Sequence, residues 1–145
     1  MNQCVLDASV AAKWLISDPS EELQQEARKL LTAHTQGQLL FTVPNVFWAE
    51  LSAVILKAAR QMRMLPDDAR ASIQSLELLT FTTVSSRSLL ETAFSIAMAF
   101  RCSLYDCLYV ALSQSLRYPV ITADKRLVNS LGTVFNVQWL GTLPS

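Results

Sequence analysis

Four carboxylates stand where a small globular chain would ordinarily place apolar or capping residues. Asp7 ends the run Val5-Leu6-Asp7-Ala8-Ser9, and Asp124 lies just beyond Val120-Ile121-Thr122. Asp106 is set inside Leu104-Tyr105-Asp106-Cys107-Leu108-Tyr109-Val110, and Glu50 inside Val46-Phe47-Trp48-Ala49-Glu50-Leu51. Burying a carboxylate among such neighbours is costly unless a cation or hydrogen bonds compensate it. No Lys or Arg lies within one helical turn of Asp106, Arg101 being the nearest before it. Lys57 follows Glu50 by seven residues, two turns along a helix and too far for a direct ion pair. A hard divalent cation, Mg²⁺ or Mn²⁺, suits an all-oxygen set of this kind. Carboxylates that converge without one raise each other's pKa. With one, they make a site that polarises a phosphoryl oxygen and activates water. Simpler roles stand beside this reading. Asp7, Asp106 and Asp124 are each placed to cap a helix, and Glu50 to snorkel from a helix edge. A cap can also be a ligand.

The elements that must carry these acids alternate. Cys4-Val5-Leu6 reads as a strand, and Ser9 to Ile16 as a helix with Val10, Lys13, Trp14 and Ser17 on one side. Ser20 is placed to cap a second helix, with Glu21 and Glu22 in its first turn and Gly37 at its end. Leu39 to Val43 is a strand, Pro44 opens a helix through Ala58, and Pro66 opens another. Strand Phe81 to Val84, helix Ser85 to Ala99, helix Leu104 to Leu116, strand Pro119 to Thr122, helix Asp124 to Leu131 and strand Val134 to Leu140 complete the chain. Strands separated by helices imply an α/β fold, a parallel β-sheet flanked by helices. Ligands then sit beyond the carboxyl ends of the strands, where Asp7 and Asp124 fall.

Composition bounds the function. The 145 residues carry 12 basic and 12 acidic side chains, are 51% hydrophobic and 17% charged, and read as one domain over 1–145. Zero net charge leaves only local clusters for binding nucleic acid. Lys57, Arg60, Arg63 and Arg70 form the main basic concentration, which reads as a solvated helix face. The apolar excess points to a partner surface. The most apolar stretch, Leu89 to Leu112, is interrupted by Glu91, Arg101 and Asp106, and the N-terminus lacks a basic leader, so a cytoplasmic, soluble protein is expected. Cys4, Cys102 and Cys107 have no metal-ligand spacing and read as buried thiols. Gly37, Gly132 and Gly141 are isolated, which excludes a phosphate-cradling loop. His34 is the sole histidine and is expected to complement a helix C-terminus. Tyr105 and Tyr109 flank Asp106 and read as core, with base stacking as the other option.

These segments, in this order, resemble the PIN-domain ribonucleases, and among them the VapC toxins of toxin–antitoxin pairs. The resemblance runs end to end, through Val5-Leu6-Asp7-Ala8-Ser9-Val10-Ala11, Pro44 to Leu51, Ser103 to Leu112 and Ile121-Thr122-Ala123-Asp124-Lys125-Arg126-Leu127. It implies a Mg²⁺- or Mn²⁺-dependent endoribonuclease, with Asp7, Glu50 and Asp106 as metal-binding acids and Asp124 as a fourth acting through water. It implies supporting roles for Ser9 and Thr122, a homodimer, and a small VapB-like antitoxin. Lys125 and Arg126 occupy the place where some relatives carry a further acid, which bears on a second metal ion. With Lys13, they are candidates to hold RNA backbone. Two other readings remain open on the sequence: a catalytically silent PIN-like module that binds RNA or protein, and a metal-dependent phosphatase.

Overall fold

The structure, a computed structural model, describes residues 2–16, 18 and 20–143. Five strands form one parallel sheet: β1 (Asn2–Leu6), β2 (Leu39–Pro44), β3 (Thr82–Val84), β4 (Val120–Thr122) and β5 (Val137–Trp139). Among the described residues, seven α-helices flank it: α1 (Ala8–Leu15), α2 (Gln24–Thr35), α3 (Val46–Arg60), α4 (Pro66–Ser75), α5 (Leu90–Phe100), α6 (Leu104–Leu116) and α7 (Lys125–Leu131). The α/β parallel-sheet fold expected from the alternating pattern is what forms.

The sheet order is β3-β2-β1-β4-β5. The chain steps one way from β1 to β2 and β3, then crosses to the other side of β1 for β4 and β5. The order therefore reverses between β1 and β4, the place where open parallel sheets bind their ligands. Val5 pairs with Val120 and Leu6 with Ile121, and the Asp7 amide donates to the Ile121 carbonyl at 3.0 Å. These central strands are apolar on both faces because helices cover both. Val5, Leu6, Phe41, Val43, Phe47, Leu51, Tyr109, Leu112 and Leu131 are fully buried.

The apolar stretch around Leu89 to Leu112 divides into α5 and α6, bent 118° at residues 101–103. Arg101 terminates α5 in the left-handed region at φ 53°, and the Ser103 side chain caps α6 by accepting from the Asp106 amide at 3.1 Å. That break places Asp106 in the first turn of α6 rather than in mid-helix. Among the described residues no single helix is long and apolar enough to cross a membrane.

Several boundaries differ from the sequence reading. Ser20 does not cap α2; its amide and hydroxyl donate to Asp18 Oδ1 at 2.9 and 2.8 Å, and the helix starts after Leu23, which takes the left-handed conformation at φ 63°. Pro44 is the last residue of β2, and α3 begins two residues later behind Asn45, whose side chain accepts the Ser86 amide at 3.0 Å. The segment 85–99 is a 3-10 turn, Ser86–Leu89, followed by α5, and β5 is shorter than the run from Val134 to Leu140. Ser17 lies outside the described residues. His34, in the last turn of α2, stacks on Phe41 with ring centroids 4.6 Å apart and donates from Nδ1 to the Leu39 carbonyl at 2.9 Å. It belongs to an aromatic cluster with Trp14, Phe41 and Phe81.

Candidate active site

Asp7 follows β1 and precedes α1, a position fixed by the last apolar residue of a central strand. It is 7% exposed, the one acid in the buried set. It occupies the cap position of α1 without making a side-chain cap bond. Its Oδ2 instead accepts from Ser9 Oγ at 2.6 Å and from Thr122 Oγ1 at 2.7 Å. Each hydroxyl is itself aimed by a backbone amide. Ser9 Oγ accepts from Ala123 N at 3.0 Å, and Thr122 Oγ1 from Asp124 N at 2.9 Å. With their lone pairs engaged by those amides, both hydroxyl hydrogens point at Asp7. The β1–β4 register makes this possible, because it sets Thr122 beside the end of β1.

Glu50 stands in α3, half-buried, and accepts from Tyr109 Oη at 2.6 Å. This excludes the snorkelling role. Asp106 is half-buried in the first turn of α6 and does not cap that helix, since Ser103 does. Asp124 is a cap: its Oδ1 accepts from the Arg126 amide at 3.0 Å at the start of α7.

Burial and neighbouring negative charge act on three of these acids. Burial raises the Asp7 pKa above the ordinary carboxylate range, and the charges of Asp106 and Asp124 add to the rise; the Ser9 and Thr122 bonds oppose it. Burial likewise raises Glu50, with Asp7 and Asp106 adding and the Tyr109 bond opposing. Asp106 is raised by burial and by Asp124, against Ser103 and Arg126. Glu50 and Asp106 line one open cleft of about 360 Å³ together with Arg101, Tyr105 and Arg126. Asp124 and Ser9 line a separate one of about 410 Å³ that includes Lys13 and Arg63. Among the described residues, no three acidic, His or Cys side chains are already drawn to ligand spacing around one point. The donor chemistry nonetheless fits a hard cation: oxygens only, mutually repelling, and held by neutral hydroxyls on Asp7 and Glu50.

The cations differ from one another. Lys13 is not an unengaged rim cation; its Nζ pairs with Glu21 at 3.0 Å. Lys125 Nζ lies 4.4 Å from the centroid of the Trp139 ring, and Arg126, 85% exposed, reaches Asp124 at 3.5 Å. Of the basic residues read as one helix face, Arg63 lies in the turn between α3 and α4 and is tied to Asp18 and Glu21. Tyr105 is 58% exposed on the cleft and is not core, whereas Tyr109 is buried. The Tyr109 hydroxyl is the site group that reading the sequence missed. Its signal was available: it follows Asp106 by three residues, on the same helix face.

The sequence pattern of the PIN domain matches residues 4–129. The chain belongs to the PIN domain family. It is 30% identical over 123 residues to a VapC ribonuclease of Mycobacterium bovis, covering 85% of this chain and 87% of that protein. The crystal structure of a Pyrobaculum aerophilum protein superposes with a TM-score of 0.67 at 19% identity, covering 97% of this chain and 92% of that one. A toxin–antitoxin complex from Klebsiella pneumoniae superposes with a TM-score of 0.61 at 15% identity, covering 93% and 95% of the two chains. Each of the four acids lies within the matched PIN region.

Proposed function

We propose that this PIN domain, one unit over residues 1–145, is an endoribonuclease that hydrolyses RNA phosphodiester bonds at the carboxyl ends of β1 and β4. The observation that carries the reading is Asp7: a carboxylate buried at the reversal point of a parallel sheet, held only by neutral hydroxyls and coupled to three further acids. The likeness to a named VapC ribonuclease over most of the chain supports RNA as the substrate.

Asp7, Glu50 and Asp106 would hold Mg²⁺ or Mn²⁺, with Asp124 joining through water. When bound, the ion would offset the charge of the phosphodiester and make water a better nucleophile at neutral pH. The protein's own part is orientation. Ser9 and Thr122 fix the Asp7 carboxylate, and Asp124 is fixed by its cap bond. Arg126, Lys125 and Arg101 offer positive charge to the backbone beside the cut, and Tyr105 offers an exposed ring to a base.

The wider setting is proposed with it: a cytoplasmic toxin, neutralised by a cognate VapB-like antitoxin and acting as a homodimer. The toxin–antitoxin complex with the same fold supports the antitoxin. Leu90, Phe94 and Met98 support the dimer; they form an i, i+4, i+8 stripe on α5 and are 43%, 60% and 70% exposed. Light scattering at micromolar concentration is expected to return a dimer, and a monomer would remove that part.

The test of the activity is cleavage of single-stranded RNA with Mg²⁺ or Mn²⁺, with and without a chelator. Cleavage should stop with chelator and in Asp7→Asn and Asp106→Asn. Binding without cleavage would indicate a silent module instead. Hydrolysis of a small phosphomonoester with RNA left intact would indicate a phosphatase.

A further inference from the structure

The third hydroxyl at the site, that of Tyr109, stands to Glu50 as Ser9 and Thr122 stand to Asp7. Tyr109 sits on α6 three residues after Asp106, and its side chain is completely buried. Its Oη donates to Glu50 Oε1 at 2.6 Å. One phenol therefore ties α6 to α3 at the Glu50 carboxylate.

Glu50 needs such a tie. Its side chain is long, half-buried at the edge of α3, and repelled by Asp7 and Asp106. Unrestrained, it would turn out to solvent, which relieves the repulsion and rehydrates the charge. A buried ring has no such freedom, so its hydroxyl is a fixed anchor. We propose that Tyr109 is a positioning residue, whose hydroxyl keeps the Glu50 carboxylate turned toward Asp7 and Asp106 so that a divalent cation meets it already oriented. This rests on the nuclease reading above and adds a residue that reading does not require.

The experiment is calorimetric titration of Mn²⁺ into the intact chain, native and Tyr109→Phe, alongside thermal melting. The phenylalanine keeps the ring and its packing. Loss of an outer hydrogen bond to a metal-binding carboxylate is expected to weaken Mn²⁺ binding by about 10–100-fold. Adding Tyr109→Phe to Glu50→Gln should change affinity by less than about twofold, because the group it orients is already altered. Native-like affinity in Tyr109→Phe overturns the proposal, and so does an equal loss in both backgrounds, which would mean that the ring acts through the fold. If Tyr109→Phe does not fold, Glu50→Asp replaces it. Withdrawing the carboxylate by one methylene should also weaken Mn²⁺ binding, and native-like affinity would overturn the proposal. A native chain that binds no Mn²⁺ sinks this inference and the nuclease reading together. A native chain that binds Mn²⁺ and cleaves RNA, with Tyr109→Phe indifferent, sinks the inference alone.

Discussion

Two groups of carboxylates in this molecule meet opposite surroundings. Asp18 and Glu21, between α1 and α2, face cations: Lys13 pairs with Glu21 at 3.0 Å, and Arg63 with Asp18 at 2.9 Å and Glu21 at 2.7 Å. The Ser20 amide and hydroxyl, then Arg63, hold Asp18 down to about 2, and Lys13 leads in lowering Glu21. Asp7, Glu50 and Asp106 at the carboxyl edge of the sheet are all raised, chiefly by burial. The number of hydrogen bonds does not separate the groups, since Asp7 accepts two short ones. What separates them is burial first, and after it the charges nearby. The loop has answered its carboxylates with Lys and Arg, and the edge has given Asp7 and Glu50 only hydroxyls. The first group is structural. The second is the group that the proposed function assigns to a divalent cation.

The largest expected effect breaks the comparison from the catalytic side. Asp7→Asn or Asp106→Asn should lower RNA cleavage by about 10²–10³-fold or more, the cost of several kcal/mol of lost charge stabilisation. Arg63→Ala should leave the same assay unchanged. Gel-based cleavage rates check both.

The next effects are on stability. Mn²⁺ at about a hundred times its Kd should stabilise the native fold by about 2.7 kcal/mol, seen as a higher Tm that Asp7→Asn loses. In the metal-free chain Asp7→Asn should itself be stabilising, by about 1–2 kcal/mol, because it removes a buried charge without removing its shape. Thermal melts with and without chelator measure both. A metal-free Asp7→Asn less stable than the native chain would mean that the Ser9 and Thr122 bonds outweigh the desolvation of the charge.

The pH dependence sharpens the contrast. A carboxyl raised in the folded state favours folding when protonated. Asp7, Glu50 and Asp106 should therefore add stability to the metal-free chain as pH falls from about 7 toward the ordinary carboxylate range near 4. Asp18 and Glu21, lowered in the folded state, contribute stability above that range and lose it as pH falls through their lowered values, for Asp18 at about 2. Denaturant melts across pH should show a rise and then a fall, and Asp7→Asn should flatten the rise. The smallest effect is a slight, salt-sensitive drop in Tm for Arg63→Ala, as for other exposed ion pairs.

The sequence carried the fold because it rests on local patterns, and the same patterns placed Asp7 and Asp124 at the ends of strands. Runs such as Val120-Ile121-Thr122 and the Pro66 helix start are read within a few residues, and the alternation of elements settles the architecture. Asp124 as a cap was legible for the same reason. What could not be read depends on distant partners. Lys13 was open as an RNA contact because nothing local shows that the loop brings Glu21 onto it. Ser20 looked like a cap until Leu23 and Asp18 took over the turn. Tyr109 read as core, and it is core; its hydroxyl meets Glu50 across a sequence separation of 59 residues.

Mn²⁺ titration into the metal-free chain and its Asp7→Asn variant tests the central claim most directly. The account predicts saturable binding by the native chain and at least about a tenfold weaker affinity in Asp7→Asn. No binding by the native chain, or equal binding by the two, would contradict it.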